Sequence, residues 1–217
     1  MNDVVQYDLS LFLGSFEPES IDAIITSPPF TGLPNRGNTL GITAKIFDAA
    51  SQALTPEGTI TLIVGAAPGN LLLPYHVASD ISLFPELYLH SLYTWDRAGT
   101  LERDIGSQVV TNDVILHIAR RGNTTATSIA PQSVIRTALP GFDYGFGVTT
   151  PHDIAAYLVA QVSEPGDLIV DPLAGLGEIG VQALRLDRRF SGCDLNYACV
   201  EIANARLLEH RPASAVV

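Results

Sequence analysis

Two stretches carry residue types whose spacing suits chemistry. The first is DAIITSPPFTG, residues 22–32, in which an apolar run ends in Ser27, Pro28, Pro29 and Phe30. Ser27 offers a hydroxyl, and each proline offers a carbonyl without an N–H. A corner rich in acceptors and poor in donors suits a substrate that presents an NH2 group. Phe30 adds a face on which a planar ring can stack. The plainer role for two prolines at the end of a strand is turn chemistry, and the stretch alone does not choose.

The second stretch is DLIVDPLAGLGEIG, residues 167–180. A strand runs into Asp171, and Gly175 and Gly177 then open a helix. In an open α/β sheet, ligands lie beyond the carboxyl ends of the strands, and glycines let the backbone approach them closely. About twenty residues on, FSGCDLN ends in Asp194, a carboxylate able to accept two hydrogen bonds from a ribose diol. Together these features point to an adenosine-bearing cofactor. The alternative is a glycine turn needed only for helix–sheet packing. A dinucleotide-dependent oxidoreductase fits less well, because its three-glycine fingerprint belongs close to the first strand.

Strands and helices alternate around these stretches, which predicts a mostly parallel sheet covered on both faces. Strands are expected at 4–7, in SIDAIITS, TITLIVGA, ELYLHSLYTW, NDVILHIAR and DLIVD, and in RFSGCD. Helices are expected from Asp8, over 42–54, in LPYHVASDISLF, in TPHDIAAYLVAQVS, after Gly177 and from Tyr197. For TPHDIAAYLVAQVS, Thr150 reads as the N-cap and Pro151 as the first helical residue. Residues 122–147, rich in Gly, Ser, Thr and Pro, read as a loop with at most one short strand.

The 217 residues are 47% hydrophobic and 16% charged, ample for a core and unlike a disordered chain. No apolar run is long enough to span a bilayer. The N-terminus lacks a basic region followed by an apolar core, so no secretory leader is expected and a cytoplasmic protein is the default. Cys193 and Cys199 read as small buried apolar residues. The five histidines form no cluster with metal spacing, so no metal is expected. The net charge of −11, from 12 basic and 23 acidic residues, is a poor electrostatic match to gripping phosphates.

In this order, TSPPF and DPLAGLGE resemble the catalytic tetrapeptide and cofactor loop of the β-class DNA amino-methyltransferases. Those enzymes methylate cytosine N4 or adenine N6 from S-adenosylmethionine. QYDLSLFLGSFEPESIDAIITSPPF, TWDR, TNDVILHIARRG, TTPHDIAAYLVAQVSEPGD and RFSGCDLNYACVEIANARL follow the family along almost the whole chain. The resemblance implies a single-domain α/β fold over residues 1–217, a seven-stranded Rossmann-like methyltransferase sheet entered partway through. The circularly permuted order puts a catalytic half first, about 1–121, then a short variable loop, about 122–147, and a cofactor half, about 148–217. RFSGCD can then lie beside VVQY without a long crossing, with Ser27 and Asp171 at neighbouring strand tips.

Carried onto matching positions, the resemblance implies catalysis by Ser27, Pro28, Pro29 and Phe30. It implies cofactor contacts from Asp8, Thr149 and Thr150. The glycine loop would add Asp171, Pro172, Leu173, Ala174, Gly175, Gly177 and Glu178, and the next strand end Asp194 and Leu195. DNA is the implied partner, with Arg36, Arg120 and Arg121 as candidate substrate contacts. Arg36 alternatively is a solvated loop residue. Serine at position 27 resembles the cytosine-N4 enzymes more than the adenine-N6 ones.

The sequence departs from the family at three points. Leu176 and Glu178 replace the usual hydroxyl residues of the cofactor loop. Glu178 would pair with the cofactor ammonium, repel its carboxylate, or act only as an acid in the first turn of a helix. The loop at 122–147 is short for a target-recognition region. The acidic charge leaves Arg185, Arg188 and Arg189 as a basic cluster away from the strand tips, expected to be solvated. A single-stranded or short DNA site, a homodimer, or a partner that supplies recognition would accommodate these departures. A catalytically weak binding subunit of the same fold is the competing class.

Overall fold

The structure, a computed structural model, describes residues 2–29, 37–65, 71–96, 103–105, 108–110, 112–123, 134–136 and 150–210. The order of elements begins β1 (Asp3–Gln6), α1 (Leu9–Leu13), β2 (Ile21–Thr26), α2 (Gly37–Ala53), β3 (Leu54–Gly65), α3 (Leu73–Asp80) and β4 (Leu87–Asp96). It continues with β5 (Arg103–Ile105), β6 (Gln108–Val110), β7 (Asn112–Arg120), β8 (Val134–Arg136), α4 (His152–Val162), β9 (Leu168–Asp171), α5 (Glu178–Arg185), β10 (Arg189–Asp194) and α6 (Tyr197–Leu208).

One sheet has the order β1-β10-β9-β2-β3-β7-β4-β8. Its first five strands are parallel, and β7 runs antiparallel to both β3 and β4. The expected permutation closes: β1 pairs with β10 from Asp3↔Ser191 to Gln6↔Asp194. The strand count is corrected from seven to eight. The short strand between 122 and 147 joins the sheet edge, pairing Thr94↔Val134 to Asp96↔Arg136 on β4. Sequence pattern gave no sign of the separate β5–β6 pair, because three-residue strands are too short to show a period.

The central strands are buried on both faces, so they read as continuous apolar runs. On one face Ile24, Ile60, Leu62 and Val64 pack with Phe12, Ile46 and Phe47 of α1 and α2. On the other, Ala23, Ile25, Ile63 and Ile169 pack with Ile154, Leu158, Ile179 and Val200 of α4, α5 and α6. The free edge of β1 is covered by α6. Val4 N–H donates to Asn204 Oδ1 at 2.9 Å, and Asn204 Nδ2 donates to the Val4 carbonyl at 2.8 Å, so one side-chain amide stands in for a neighbouring strand.

Helix α4 begins one residue later than the sequence suggests: Pro151 is the N-cap and His152 the first helical residue. No described helix is long and apolar enough to cross a membrane.

Candidate active site

Because β1, β10, β9, β2 and β3 are parallel, their carboxyl ends lie along one rim. That rim collects most of the residues singled out above. The register pairs Ile24 with Val170, which sets Ser27 just beyond the level of Asp171 on the adjoining strand. Phe30, Arg36 and Thr149 lie outside the described residues. Thr150 is half-buried immediately ahead of α4.

At the tip of β1, Asp8 caps α1. Its Oδ1 accepts from Ser10 N–H at 2.9 Å and from Leu11 N–H at 3.4 Å. The Ser10 bond holds the carboxyl below its ordinary range. At the tip of β10, Asp194 Oδ2 accepts from Gly175 N–H at 2.9 Å and Oδ1 from Asn196 N–H at 2.8 Å. Each oxygen keeps a further acceptor site. Leu195 beside it is exposed, 70% of its surface reaching solvent.

The loop from Asp171 to Gly177 is sewn to β10. Ala174 N–H donates to the Cys193 carbonyl at 2.9 Å, and the Cys193 thiol donates to the Pro172 carbonyl at 3.2 Å. Burial, reinforced by Asp171 and Asp194, pushes the Cys193 thiol far up, so it stays protonated and serves as a donor. Leu173 packs against the β-sheet face that carries α1 and α2, and Ala174 against the opposite face.

The two glycines do different jobs. Gly175, at φ +50°, would point a Cβ into open space, with no atom within 4 Å. Gly177, at φ +75°, would bring a Cβ to 2.9 Å from Ala203 Cβ of α6. Close ligand approach and helix packing were alternatives for the pair; Gly177 meets the packing requirement against α6, and Gly175 has no such neighbour among the described residues.

Asp171 is buried at the tip of β9, with Oδ1 accepting from Leu173 N–H at 3.1 Å. Burial pushes its carboxyl up to about 7; Thr26 and the Leu173 N–H oppose the rise, and Asp194 adds to it. Glu178 is equally buried yet held below its ordinary range. Burial raises it, but hydrogen bonds from His152, Arg206 and Gln182 outweigh that effect. Oε1 meets His152 Nδ1 and Gln182 Nε2, the latter at 2.8 Å, while Oε2 meets Arg206 Nη2. Arg206 Nη1 also donates to the Leu176 carbonyl at 2.6 Å. Glu178 thus ties the glycine loop to α4 and α6, and both of its oxygens are engaged by protein groups. Nothing in the sequence announced its pairing with Arg206, 28 positions away.

At the tip of β2, Ser27 Oγ donates to the Ile63 carbonyl at 3.2 Å. Thr39 Oγ1, buried near the start of α2, donates to the Pro29 carbonyl at 2.7 Å. Among the described residues, the Pro28 carbonyl receives no hydrogen bond. Ile63 and Thr39 were missed in the sequence because their contribution depends on strand neighbours and a loop closure.

Two expectations are corrected by topology. Arg120 and Arg121, expected near a substrate, lie at the opposite end of the sheet. Strand β7 runs antiparallel, so Ala119 pairs with Thr59 at the start of β3 while Asp113 reaches Gly65 at its end. There Arg120 binds Glu19 at 3.0 Å and the Leu54 carbonyl at 2.7 Å, and Arg121 binds the Pro85 carbonyl at 2.8 Å. Arg188 and Arg189 are also more than solvated: they hold Ser163 Oγ at 3.0 Å and the Gly166 carbonyl at 2.9 Å.

A family model described as DNA methylase, of the N6/N4 type, matches residues 141–205, from the end of the short loop through the glycine loop to α6. Type II methyltransferase M2.DpnII of Streptococcus pneumoniae is 24% identical over 243 residues, spanning 94% of this chain and 88% of that protein. The chain is similar to the DNA amino-methyltransferases. Among solved structures, PvuII DNA methyltransferase (cytosine-N4-specific) superposes with a TM-score of 0.77 at 17% identity, covering 94% of this chain and 87% of that one. M1.HpyAVI in its complex with SAM superposes with a TM-score of 0.73 at 17% identity, covering 94% and 98%. These two likenesses show the fold, and the fold is that of the methyltransferase resemblance with one strand added at its edge.

Proposed function

We propose that this protein transfers a methyl group from S-adenosylmethionine to an exocyclic amine of a DNA base, cytosine N4 before adenine N6. The observation that carries the reading is the juxtaposition on adjoining strands of an acceptor corner, Ser27 and Pro28, and a cofactor rim, Asp171, Gly175 and Asp194. The rim suits that cofactor. Gly175 faces open space, Asp194 keeps acceptor capacity for a ribose diol, and Asp171 is a buried carboxylate that a cationic group would relieve.

Bound S-adenosylmethionine would supply an electrophilic methyl group, its S–CH3 bond breaking as the N–CH3 bond forms, with the thioether as leaving group and the surplus amine proton passing to solvent. The amine of a base is a weak nucleophile because its lone pair is delocalised into the ring. Ser27 Oγ and the Pro28 carbonyl would accept its two hydrogens, favouring a pyramidal nitrogen with the lone pair directed at the methyl carbon. No covalent enzyme intermediate is needed, and positioning and electrostatics supply the rate. Phe30 follows the corner in sequence and would stack on a base drawn out of the duplex. Thr39 acts indirectly, by holding the Pro29 carbonyl so that the Pro28 carbonyl is the one presented.

The readout is mass spectrometry of nucleosides after incubation of DNA with isotopically labelled S-adenosylmethionine. Label in N4-methylcytidine is expected. Label only in N6-methyladenosine would overturn the cytosine assignment, and no label in any base despite cofactor binding would overturn DNA methylation. Thr39→Val is expected to slow transfer about fivefold, for a loss near the ~1 kcal/mol typical of one hydrogen bond. Thr39→Ser should restore the rate. Cofactor affinity, measured by calorimetry, should be unchanged in both variants; a drop in Thr39→Val would place Thr39 in the cofactor site instead.

Recognition remains with a partner or with a short or single-stranded site in this reading. Of the three arginines expected to meet DNA, Arg120 and Arg121 are engaged at the far end of the sheet.

A further inference from the structure

Helix α3 turns an apolar face outward near the candidate active site. Leu73, Pro74 and Val77 are buried, and Leu73 and Val77 join Ile46 and Phe47 of α2 in the core. The residues around them stay at the surface. Leu72 is 59% and Tyr75 54% exposed, and Leu71 and His76 are exposed beside them. Leu72 and Tyr75 stand three positions apart, which makes them neighbours on one face of the first turn. The Leu72 carbonyl accepts from the Tyr75 and His76 N–H groups, both at 3.0 Å, so the backbone that carries the tyrosine is fixed. No charge lies between Leu71 and Tyr75.

Topology puts this face at the rim. Strand β7 runs antiparallel to both β3 and β4, so β4 runs the same way as β3. Helix α3 joins the carboxyl end of β3 to the amino end of β4 and therefore begins at the rim. Leu71 follows Gly65, the last residue of β3, by six positions, which keeps it within about 20 Å of that strand tip. The neighbour of β3 is β2, and Ser27 follows at the β2 tip.

We infer that Tyr75, flanked by Leu71 and Leu72, is a stacking platform for an unpaired base of single-stranded DNA, a few nucleotides from the base that enters the Ser27 corner. The inference rests on the reading of that corner as the place where a DNA base is methylated. Charge favours this occupant. The chain carries −11, and Arg120 and Arg121 are engaged at the opposite end of the sheet. A strand held here gains most from contacts that do not depend on its phosphates. Stacking on an aromatic face is such a contact, open to every base. A base inside a duplex has both faces covered by its neighbours, so the platform selects unpaired strands. The face is also small for a second copy of the chain: four exposed side chains, against the roughly 20–30 residues a side of a stable interface.

The test uses the full chain and its Tyr75→Phe, Tyr75→Leu and Tyr75→Ala variants. The probes are a short fluorescently labelled DNA single strand and the matching duplex. Anisotropy gives the affinities, sedimentation the state of association, and labelled S-adenosylmethionine the transfer of methyl groups. Tyr75→Phe should bind the single strand within about twofold of the parent. Tyr75→Leu and Tyr75→Ala should each lose about tenfold, the size of loss expected for one stacked base. Tyr75→Leu keeps the apolar bulk, so a loss it shares with Tyr75→Ala is a loss of the ring face. The factor should be the same at about 50 and about 200 mM salt, because stacking releases no counterions. Duplex affinity should not change. A parent that binds no single strand, parent-like binding by Tyr75→Ala, or Tyr75→Leu as good as Tyr75→Phe would overturn the inference. So would an equal loss on the duplex. Self-association of the parent that Tyr75→Ala abolishes would give the face to a second copy instead. If the variants lose the single strand while the parent methylates no base, the methylation reading fails and the platform stands. If the parent methylates DNA and all three variants match it in binding and transfer, the platform alone fails.

Discussion

Arg206→Leu is expected to unfold on the order of 10 °C below the parent protein. Arg206 and Glu178 are both largely buried, with side-chain exposures of 19% and 7%, and their charges meet directly. Removing the guanidinium leaves the Glu178 carboxylate in the core with only Gln182 and His152 beside it. Breaking one partner of a buried pair costs about 3–5 kcal/mol, and each kcal/mol moves the midpoint of a chain this size by about 2–4 °C. The Leu176 carbonyl also loses its donor, so the glycine loop loosens from α6. The double variant Glu178→Leu/Arg206→Leu should recover most of the loss, because no buried charge is stranded. Scanning calorimetry on the three proteins decides the matter: a single-variant loss under about 1 kcal/mol would show the pair to be effectively solvated.

The pH dependence of this pair follows from the direction of the Glu178 shift. Its folded pKa lies below the ordinary value, so the stability it contributes is present above the unfolded pKa. It is lost as the pH falls through the folded value. Arg206→Leu should therefore cost most at neutral pH and least under acid conditions.

Asp171→Asn should have the second large effect, with opposite signs on stability and on binding. The Asp171 carboxyl is pushed up to about 7 by burial, above the roughly 3.9 of an unfolded chain. Between those values the folded state holds a proton that the unfolded state has lost. Stability from this group is full below pH 4 and falls by about 1.4 kcal/mol per pH unit until the pH passes 7. By pH 8 the ionised carboxylate costs on the order of 4 kcal/mol. Asparagine removes that cost, so Asp171→Asn should melt above the parent at pH 8 and show little gain at pH 4.

Binding should move the other way. A ligand carrying positive charge at this strand tip favours the ionised carboxylate. Affinity of the parent for S-adenosylmethionine should weaken by up to tenfold per unit as the pH falls from 7 to 5.5. Asp171→Asn should bind more weakly, by about 10- to 100-fold for the loss of a charged hydrogen bond, and without that pH dependence. Calorimetric titrations across the range provide the check. A pH-independent parent, or an asparagine variant that binds equally well, would remove Asp171 from the cofactor site.

Several features of this protein were legible in its residues. The continuous apolar runs ending in Ser27 and Asp171 set two buried parallel strands, because only strands covered on both faces can be apolar throughout. The prolines at 28 and 29 and the glycines at 175 and 177 marked the places where backbone chemistry changes at a strand end. Asp194 lay at the distance from Asp171 that one helix and one return strand require. The order of these pieces also required β10 to sit beside β1, as it does.

Tertiary structure alone decided the rest, because it depended on which distant groups became neighbours. Arg120 looked like a substrate residue in a strand of unknown direction; the antiparallel course of β7 carries it to the far end, onto Glu19. Glu178 read equally as a cofactor contact or a helix acid, and burial against Arg206 and His152 makes it an internal tie. The two glycines were indistinguishable until α6 came within 2.9 Å of where a side chain on one of them would stand. Sequence placed a hydroxyl at the tip of β2, but a hydroxyl both donates and accepts. Its partner in the fold is a backbone carbonyl 36 positions away, a contact with no side-chain signature to read.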